Sequence, residues 1–361
     1  VVGMPGYPVA FYTILREFIQ PILEWYGFCF PIPDQISAYL TRSIKSSPGL
    51  DEYILATAGK VRNKWVATPL SRQSGVQMNL VRSNAYLKIP ADQEELKKGS
   101  RVNTTLQVQK GIAEQVILIT GSHDLAIDYI ADIAREKRII IASSHVGSMD
   151  GLLTLKDGNC HLAPMHLLAD DNEYNIPFLK QYFPNKDLVL ICVAERIQGI
   201  VSREVLDFEA ITTHRFINRQ KGSGTRILLD RLLAEKKIHP EDITGYDQEV
   251  SSHYEVCLAV QSGDADIGLT TYGAALTFGL PFIPIGVERY ELVTTKDLFE
   301  EDSRIRAIVD ILNSNEFKQV LTHLGGYEMD LTGMIRECRR KKGSRNSMSN
   351  KGCYNTDNPK K

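Results

Sequence analysis

Three short loops combine hydroxyl groups, glycine and charge where a predicted strand ends and a predicted helix begins. They are residues 121–124 (GSHD), 143–148 (SSHVGS) and 221–226 (KGSGTR). The first turn of a helix leaves up to four backbone N–H groups without an intrahelical partner, and the helix dipole adds a partial positive charge there. Hydroxyls supply further donors, and glycine lets the backbone approach a ligand closely. Such loops are typical of sites that bind small anions.

Helix capping is the alternative interpretation, because Ser, Thr, Asp and Gly are also ordinary N-cap residues. Capping explains any one of the loops, whereas three loops in one domain favour a ligand. In α/β sheets the helix starts follow the carboxyl ends of the strands, where ligands usually bind. The predicted ligand-binding residues are Ser122, His123, Asp124, Ser143, Ser144, Ser148, Ser223, Gly224, Thr225 and Arg226, with Arg226 supplying positive charge.

The choice of anion depends on whether the site offers an acceptor as well as donors. Molybdate and tungstate carry no proton at neutral pH and suit a pocket of donors alone, whereas phosphate keeps a proton that a carboxylate can accept. Asp124 is either that acceptor or a residue of the first helical turn, where the dipole favours an acid. The sequence favours the capping role.

Composition excludes several classes of protein. The chain has 361 residues, enough for two or three domains, and 42 Lys and Arg against 44 Asp and Glu, which is unlike a nucleic-acid binder. No apolar run reaches the roughly 18–20 residues of a membrane span. The six cysteines stand singly, which indicates reduced thiols and a cytoplasmic location. The histidines form neither HxH nor HExxH, so no metal site is predicted.

The pattern along the chain changes three times. Residues 1–26 contain a Gly/Pro turn and a helix that Pro21 interrupts or bends, and residues 34–109 form a small, mostly β domain of short alternating runs. Strands alternate with helices over residues 115–325, which predicts a two-lobed α/β domain with a parallel sheet and a cleft. Residues 326–361 read as a basic, disordered tail, because residues 336–361 hold nine Lys and Arg but only two acids and few apolar side chains.

The α/β part resembles the periplasmic-binding-protein-like fold, in the branch shared with LysR-type effector domains and molybdate- or phosphate-type binders. The resemblance rests on GSHD, SSHVGS, GSGTR and the later segment 265–269 (ADIGL), and it covers residues 115–325. It implies two lobes that close on a small ligand. It also implies that Ser122, Ser144, Ser148, Ser223, Thr225 and Arg226 line the cleft, with His123, Asp124, His145 and His253 as further lining candidates.

The first part of the chain resembles the end of MoeA-type molybdopterin molybdenumtransferases. The matching segments are 3–10 (GMPGYPVA), 70–75 (LSRQSG), 80–90 (LVRSNAYLKIP) and 95–102 (ELKKGSRV), with Tyr7 and Ala10 departing from the usual Asn and Ser. The resemblance implies insertion of molybdenum from molybdate into adenylylated molybdopterin with magnesium. It offers Gly3, Pro5, Gly6 and Ser74 as cofactor-binding residues and places most pterin and metal contacts outside this fragment.

Together these features predict the C-terminal part of a molybdopterin molybdenumtransferase in molybdenum cofactor biosynthesis. The appended domain would bind molybdate, tungstate or the cofactor itself. The expected partners are such a small molecule and a second copy of the chain, without membrane or nucleic acid. Whether the chain is catalytic stays open, and two alternatives remain: a non-catalytic sensor related to LysR effector domains, and a solute-binding protein.

Overall fold

The structure is a computed structural model that describes residues 2–72, 77–169 and 173–340. Ser74 and the last 21 residues of the predicted tail lie outside these ranges. Among the described residues, no helix is both long enough and apolar enough to cross a membrane.

The chain begins with a helix that runs through Pro21. It consists of α1 (Pro8–Ile14), a π-helical turn (Leu15–Ile19) and α2 (Gln20–Trp25). In the π turn the backbone N–H of Gln20 donates to the carbonyl of Leu15, one residue further back than in an α-helix. The wider turn lies just before the proline, which has no N–H to donate. The helix therefore continues through Pro21, where the sequence predicts that it is interrupted or bent.

The predicted small β domain is a closed barrel with the strand order β1-β4-β3-β5-β7. Side chains alternate along β1, where Ile36, Ala38 and Leu40 are buried while Gln35 and Ser37 face outward. The elements are β1 (Gln35–Leu40), β2 (Ile44–Lys45), β3 (Glu52–Val61), β4 (Lys64–Pro69), α3 (Met78–Arg82), β5 (Ala85–Ile89), β6 (Glu95–Leu96) and β7 (Arg101–Leu106).

The rest of the described chain forms the two-lobed α/β domain. Its elements are α4 (Lys110–Glu114), β8 (Val116–Gly121), α5 (Leu125–Glu136), β9 (Ile140–His145), α6 (Ser148–Lys156), β10 (Ala163–Met165), α7 (Ile176–Tyr182), β11 (Leu188–Ser202), β12 (Phe216–Arg219), α8 (Gly224–Lys236), β13 (Glu249–Val250), α9 (His253–Ser262), β14 (Ile267–Thr271), α10 (Tyr272–Phe278), β15 (Phe282–Thr295), α11 (Lys296–Glu301), α12 (Ser303–Asn313), α13 (Asn315–Leu324), β16 (Tyr327–Glu328) and β17 (Ile335–Cys338). Short 3-10 helices cover Phe208–Thr212 and Pro240–Asp242.

Two long antiparallel strands, β11 and β15, run through both lobes and pair from Leu188 with Thr295 to Val201 with Phe282. The first lobe adds β10 and the parallel pair β8 and β9, and the second lobe adds β14, β12 and β13. The prediction of a parallel sheet is therefore only partly right. Alternating strands and helices do produce parallel neighbours within each lobe, but the two strands that join the lobes run in opposite directions.

The predicted tail begins too early. Strands β16 and β17 pair antiparallel with β11, and Cys338 is buried. The side chain of Arg336 donates to the buried carboxylate of Glu291, at 2.9 Å from Nη2 to Oε1. Low apolar content predicts disorder only when a segment has nothing to pair with, and here the edge of β11 supplies backbone partners. The α/β domain therefore extends to residue 338 rather than ending at 325.

His161 joins the barrel to the first lobe. Its Nδ1 accepts from the backbone N–H of Leu118 in β8 at 2.9 Å, and its Nε2 lies 3.2 Å from the carbonyl oxygen of Lys60 in β3. These two bonds require a neutral ring with its proton on Nε2. Burial and, next, the charge of Arg304 lower the pKa of His161 to about 4, which keeps the ring neutral.

We expect the protein to lose stability as the pH falls from about 6.5 towards 4. In this window the unfolded chain takes up a proton on His161 and the folded chain does not, which costs up to about 3 kcal/mol for this group. A His161→Gln variant should be less stable than wild type at pH 7.5 but should lose less on acidification. Thermal unfolding of both proteins between pH 5 and 8 measures this.

The exposed His239 provides the matched control, since His239→Gln should follow wild type at every pH. Equal acid sensitivity of His161→Gln and wild type would contradict the assignment.

Candidate functional site

A cavity of about 720 Å³ lies between the two lobes. The N-caps of five helices line it: Asp124 of α5 and Gly147 of α6 from the first lobe, and Ser223 of α8, Ser252 of α9 and Thr271 of α10 from the second. Five positive helix ends therefore face one space. Sequence patterns identify three of these starts as ligand loops and do not identify the other two, at residues 251–253 (SSH) and 271–273 (TYG).

Three of the five N-cap residues bond to their own helices through their side chains. Asp124 accepts from the N–H of Ala126 at 2.8 Å, Ser223 accepts from Arg226, and Ser252 forms a capping box with Glu255. The capping role favoured for Asp124 is thus confirmed. Gly147 has a φ of +84° and no side chain, so the first turn of α6 keeps its backbone donors on the cavity side.

The structure brings six of the ten predicted ligand-binding residues to the cavity and leaves four outside it. Ser143 and Ser144 belong to strand β9 and instead line a small gap against Thr57 and Thr68 of the barrel. Thr225 is buried within α8. The residues that do line the cavity are Ser122, His123, Asp124, Ser148, Ser223 and Gly224, together with His145 and His253.

Arg226 does not supply the charge expected of it. Its Nε lies 3.0 Å from Oδ1 of Asp230 and its Nη1 lies 3.1 Å from Oε1 of Glu249. The guanidinium also stacks over the ring of Tyr246 at 4.0 Å. As the third residue of α8 it points along the helix towards the next turn, where Asp230 stands. Two carboxylates already neutralise it.

Arg219, at the end of β12, lines the cavity together with two other cationic residues, Arg196 and the exposed Lys221. Its Nη2 donates to the carbonyl of Ser251 at 2.9 Å, while Nε and Nη1 have no partner among the described residues. The residue is only 8% exposed, and burial lowers the pKa of its guanidinium to about 10. It stays positively charged at neutral pH. A buried cation with two unpaired N–H donors fits an anion as its counterion.

A second arginine, Arg196 of β11, also lines the cavity, but two of its nitrogens pair with carboxylates and only its Nε has no partner among the described residues. Its Nη1 donates to Oδ2 of Asp124 at 2.7 Å, and its Nη2 pairs with Glu288 of β15. The hydroxyl of Tyr327 donates to the other oxygen of Asp124 at 2.9 Å. Although burial lowers the pKa of Arg196, the two carboxylates raise it above its usual range. This network fixes α5 to the strands that join the lobes.

The buried His166 and the partly buried His253 complete the wall. Burial holds the pKa of His166 and of His253 well below the usual range, so both rings are neutral at physiological pH. Nδ1 of His166 has no partner among the described residues. A Cβ on Gly224 would lie 2.2 Å from the His166 ring, so only glycine fits at the start of α8. No sequence motif marks His166, Arg196 or Arg219.

The N-terminal candidates lie apart from this cavity. Gly3 and Gly6 are exposed and have nothing within 4 Å of the place where a side chain would begin. Pro5 stands in the same segment before α1 and does not line the cavity. A cofactor-binding role for these residues stays a prediction, as it does for Ser74, which lies outside the described residues.

Comparison with known proteins agrees with this architecture. A family model described as a PBP superfamily domain matches residues 131–313, half of the chain, and the chain therefore belongs to the PBP superfamily. A model of the MoeA C-terminal region (domain IV) matches residues 37–106, which are the barrel. The chain thus joins a MoeA-type C-terminal domain to a two-lobed PBP domain.

Two curated relatives are themselves uncharacterised. The protein YvgK of Bacillus subtilis is 34% identical over 197 residues, covering 52% of this chain and 63% of its own length. A protein encoded in the 5′ region of a 2Fe-2S ferredoxin gene of Clostridium pasteurianum is 39% identical over 110 residues, covering 30% of this chain and 96% of its own.

Solved structures with a similar fold include an ABC-type phosphate transport receptor from Vibrio cholerae, with 18% identity and a TM-score of 0.43 over 59% of this chain and 99% of that one. A tungstate ABC transporter protein from Geobacter sulfurreducens has 13% identity and a TM-score of 0.44, and the match covers 58% of this chain and 98% of that one. The molybdopterin biosynthesis moeA protein from Pyrococcus horikoshii has 29% identity and a TM-score of 0.25, and the match covers 28% of this chain and 26% of that one.

Proposed function

We propose that the cleft between the lobes binds a small tetrahedral oxyanion, with molybdate or tungstate as the preferred ligand. The observation that carries the proposal is Arg219, a buried arginine with two unpaired donors, in a cavity that five helix N-termini line. Backbone N–H groups and one guanidinium provide donors on several sides of a guest. The strands β11 and β15 join the lobes and can act as the hinge on which the cleft closes.

The acceptors of the cleft favour an anion without protons. Both oxygens of Asp124 are engaged, by Ala126, Arg196 and Tyr327, so this carboxylate is not available to accept the proton of phosphate. The other carboxylate of the wall, Asp150, is exposed in the first turn of α6. Molybdate, tungstate and sulfate have no proton to place at neutral pH.

Calorimetric titration of the chain with molybdate, tungstate, sulfate and phosphate tests the proposal. We expect molybdate and tungstate to bind with one site per chain and more tightly than phosphate, because phosphate would have to lose its proton or leave it unpaired. Absence of heat with all four anions would refute the proposal. Tighter binding of phosphate than of molybdate would refute the choice of ligand.

The size of the cavity favours a second candidate, the phosphate-bearing molybdopterin cofactor. About 720 Å³ falls within the roughly 300–1,000 Å³ of sites for drug-sized ligands and exceeds what one oxyanion fills. The phosphate of the cofactor would occupy the anion position beside Arg219. A synthetic pterin phosphate in the same titration separates the two candidates. An oxyanion site in an open cleft binds the free anion without the pterin, whereas a cofactor site binds the pterin phosphate more tightly than the free anion.

We further propose that the complete protein acts in molybdenum cofactor biosynthesis as a molybdopterin molybdenumtransferase in the cytoplasm. The match of the barrel to the MoeA C-terminal region supports the first part. The free thiols of Cys29, Cys160, Cys192, Cys257 and Cys338 support a reducing compartment. The test is incorporation of molybdenum into molybdopterin by the full-length protein, with and without the PBP domain. Loss of incorporation only at low molybdate would indicate that the domain concentrates the anion.

Magnesium, which the transferase family implies, does not fit the described residues. In this part of the chain only His123, Asp128 and His145 come together as a group of three ligands. Two of the three are imidazoles, whereas Mg²⁺ takes oxygen ligands in near-octahedral geometry. No step of the proposed function is therefore assigned to magnesium in this part of the protein.

A further inference from the structure

A cluster of two histidines and one aspartate stands at the rim of the cleft. His123 follows β8, His145 ends β9, and Asp128 lies in the first turn of α5. One potential ligand atom from each residue lies within 4.8 Å of the other two. Sequence motifs do not reveal this cluster, because its members are 5 and 17 residues apart and stand on three different elements.

We propose that His123, His145 and Asp128 bind a divalent transition-metal ion such as Zn²⁺, Co²⁺ or Ni²⁺, with its open coordination positions facing the cleft. This goes beyond the proposed anion binding and does not depend on it. Imidazole suits these ions, and two imidazoles with one carboxylate are a common ligand set.

The distances of the cluster are close to those of a metal site. Nε2 of His123 lies 3.1 Å from Oδ2 of Asp128. Two ligands of a tetrahedral ion with bonds of about 2.0–2.1 Å are roughly 3.3 Å apart, so this edge is nearly formed. The rings of His123 and His145 have centroids 4.0 Å apart. The ligand atoms of all three residues lie within 4.8 Å of one another, so the third ligand must approach the other two when an ion binds.

Ser143 and Arg82 are neighbours that affect the cluster. Oγ of Ser143 lies 2.9 Å from Nε2 of His145 and orients the ring, as hydrogen-bond partners of ligating histidines do in metal sites. Arg82 is a nearby positive charge that opposes binding.

The cluster opens towards the cleft. His123 and His145 both line the cavity that Arg219 faces from the second lobe. With three protein ligands, an ion of this class keeps at least one position for water or for an atom of a ligand in the cleft. The site therefore resembles an open metal centre more than a closed structural one.

Titration of the whole chain with CoCl₂ after treatment with EDTA tests the proposal, because four- or five-coordinate Co²⁺ has visible absorption bands that hexaaqua Co²⁺ shows only weakly. We expect one Co²⁺ per chain, displaced by Zn²⁺, and a higher thermal midpoint with the metal. His123→Ala and His145→Ala should each weaken binding by more than about tenfold, since even the loss of a residue that hydrogen-bonds to a metal ligand costs about 10–100-fold. Asp128→Asn should also weaken it.

Matched controls lie on the same protein. His239→Ala removes an exposed histidine far along the chain, and Asp132→Asn removes an exposed acid one turn beyond Asp128 on α5. Cys29→Ser removes the exposed thiol. All three controls should bind Co²⁺ like wild type, and every variant should have the wild-type circular dichroism in EDTA because the substituted residues are exposed. No Co²⁺ binding by wild type, or equal binding by the cluster variants and the controls, would overturn the proposal.

Discussion

An Arg219→Ala variant should bind molybdate and tungstate at least about 30-fold more weakly than wild type, which corresponds to a loss of 2–5 kcal/mol for one partner of a buried charge pair. In the structure this guanidinium has two unpaired donors and is 8% exposed. An anion beside it would gain two charge-assisted hydrogen bonds from a guanidinium that is itself buried. Calorimetric titration at fixed salt measures the change.

The same variant should be at least as stable as wild type when no anion is present. Arg219 is buried without a carboxylate partner in hydrogen-bonding contact, so its removal relieves a desolvation cost and breaks only the bond to the carbonyl of Ser251. Lower affinity without lower stability is therefore the signature of a ligand-binding arginine. Lower stability with unchanged affinity would show that Arg219 only supports the fold.

Arg203→Ala is the matched control for the anion titration. Arg203 stands on the second lobe, is exposed and pairs with Asp266 outside the cavity at 3.1 Å. If nonspecific positive charge attracts the anion, both variants should weaken binding alike, and more so at low salt. If the cleft binds the anion, only Arg219→Ala should do so.

Asp124→Ala should lower the free energy of unfolding by about 3–5 kcal/mol, because it removes one partner from a buried ion network. Asp124 pairs with Arg196 at 2.7 Å, accepts from Tyr327 at 2.9 Å and caps α5. Without it the buried guanidinium keeps only Glu288. Urea unfolding followed by far-ultraviolet circular dichroism measures the loss. Tryptophan fluorescence would not report on the lobes directly, because both tryptophans, Trp25 and Trp65, lie outside them.

Two further variants separate the ion network from the cap. Asp124→Asn keeps an oxygen for the N–H of Ala126 and loses the charge, so it should retain only the roughly 1 kcal/mol of the cap. Ser314→Ala removes an ordinary cap, at the start of α13, and should cost about that amount. A loss of only about 1 kcal/mol for Asp124→Ala would mean that the network contributes little.

Local sequence signals located several parts of the site. The glycine, serine and aspartate residues of GSHD, SSHVGS and GSGTR have the same chemical preference for helix starts in any fold, and these helices begin where the loops predict. The change from alternating strands to strands mixed with helices also separated the barrel from the lobes. A loop pattern does not tell which side chains point into the cleft, and four of the predicted residues, Ser143, Ser144, Thr225 and Arg226, do not line it.

The sequence by itself determined the local features of this protein, namely its helix starts, its two kinds of domain and the resemblance of each to a family. These depend on neighbouring residues, whose propensities act over a few positions. The tertiary structure alone decided which cation faces the cleft, that Asp124 holds Arg196, and that His123, His145 and Asp128 meet. Such contacts depend on the antiparallel pairing of β11 and β15 and on which partner lies next to each charged group. Both are decided by residues that are distant in the sequence.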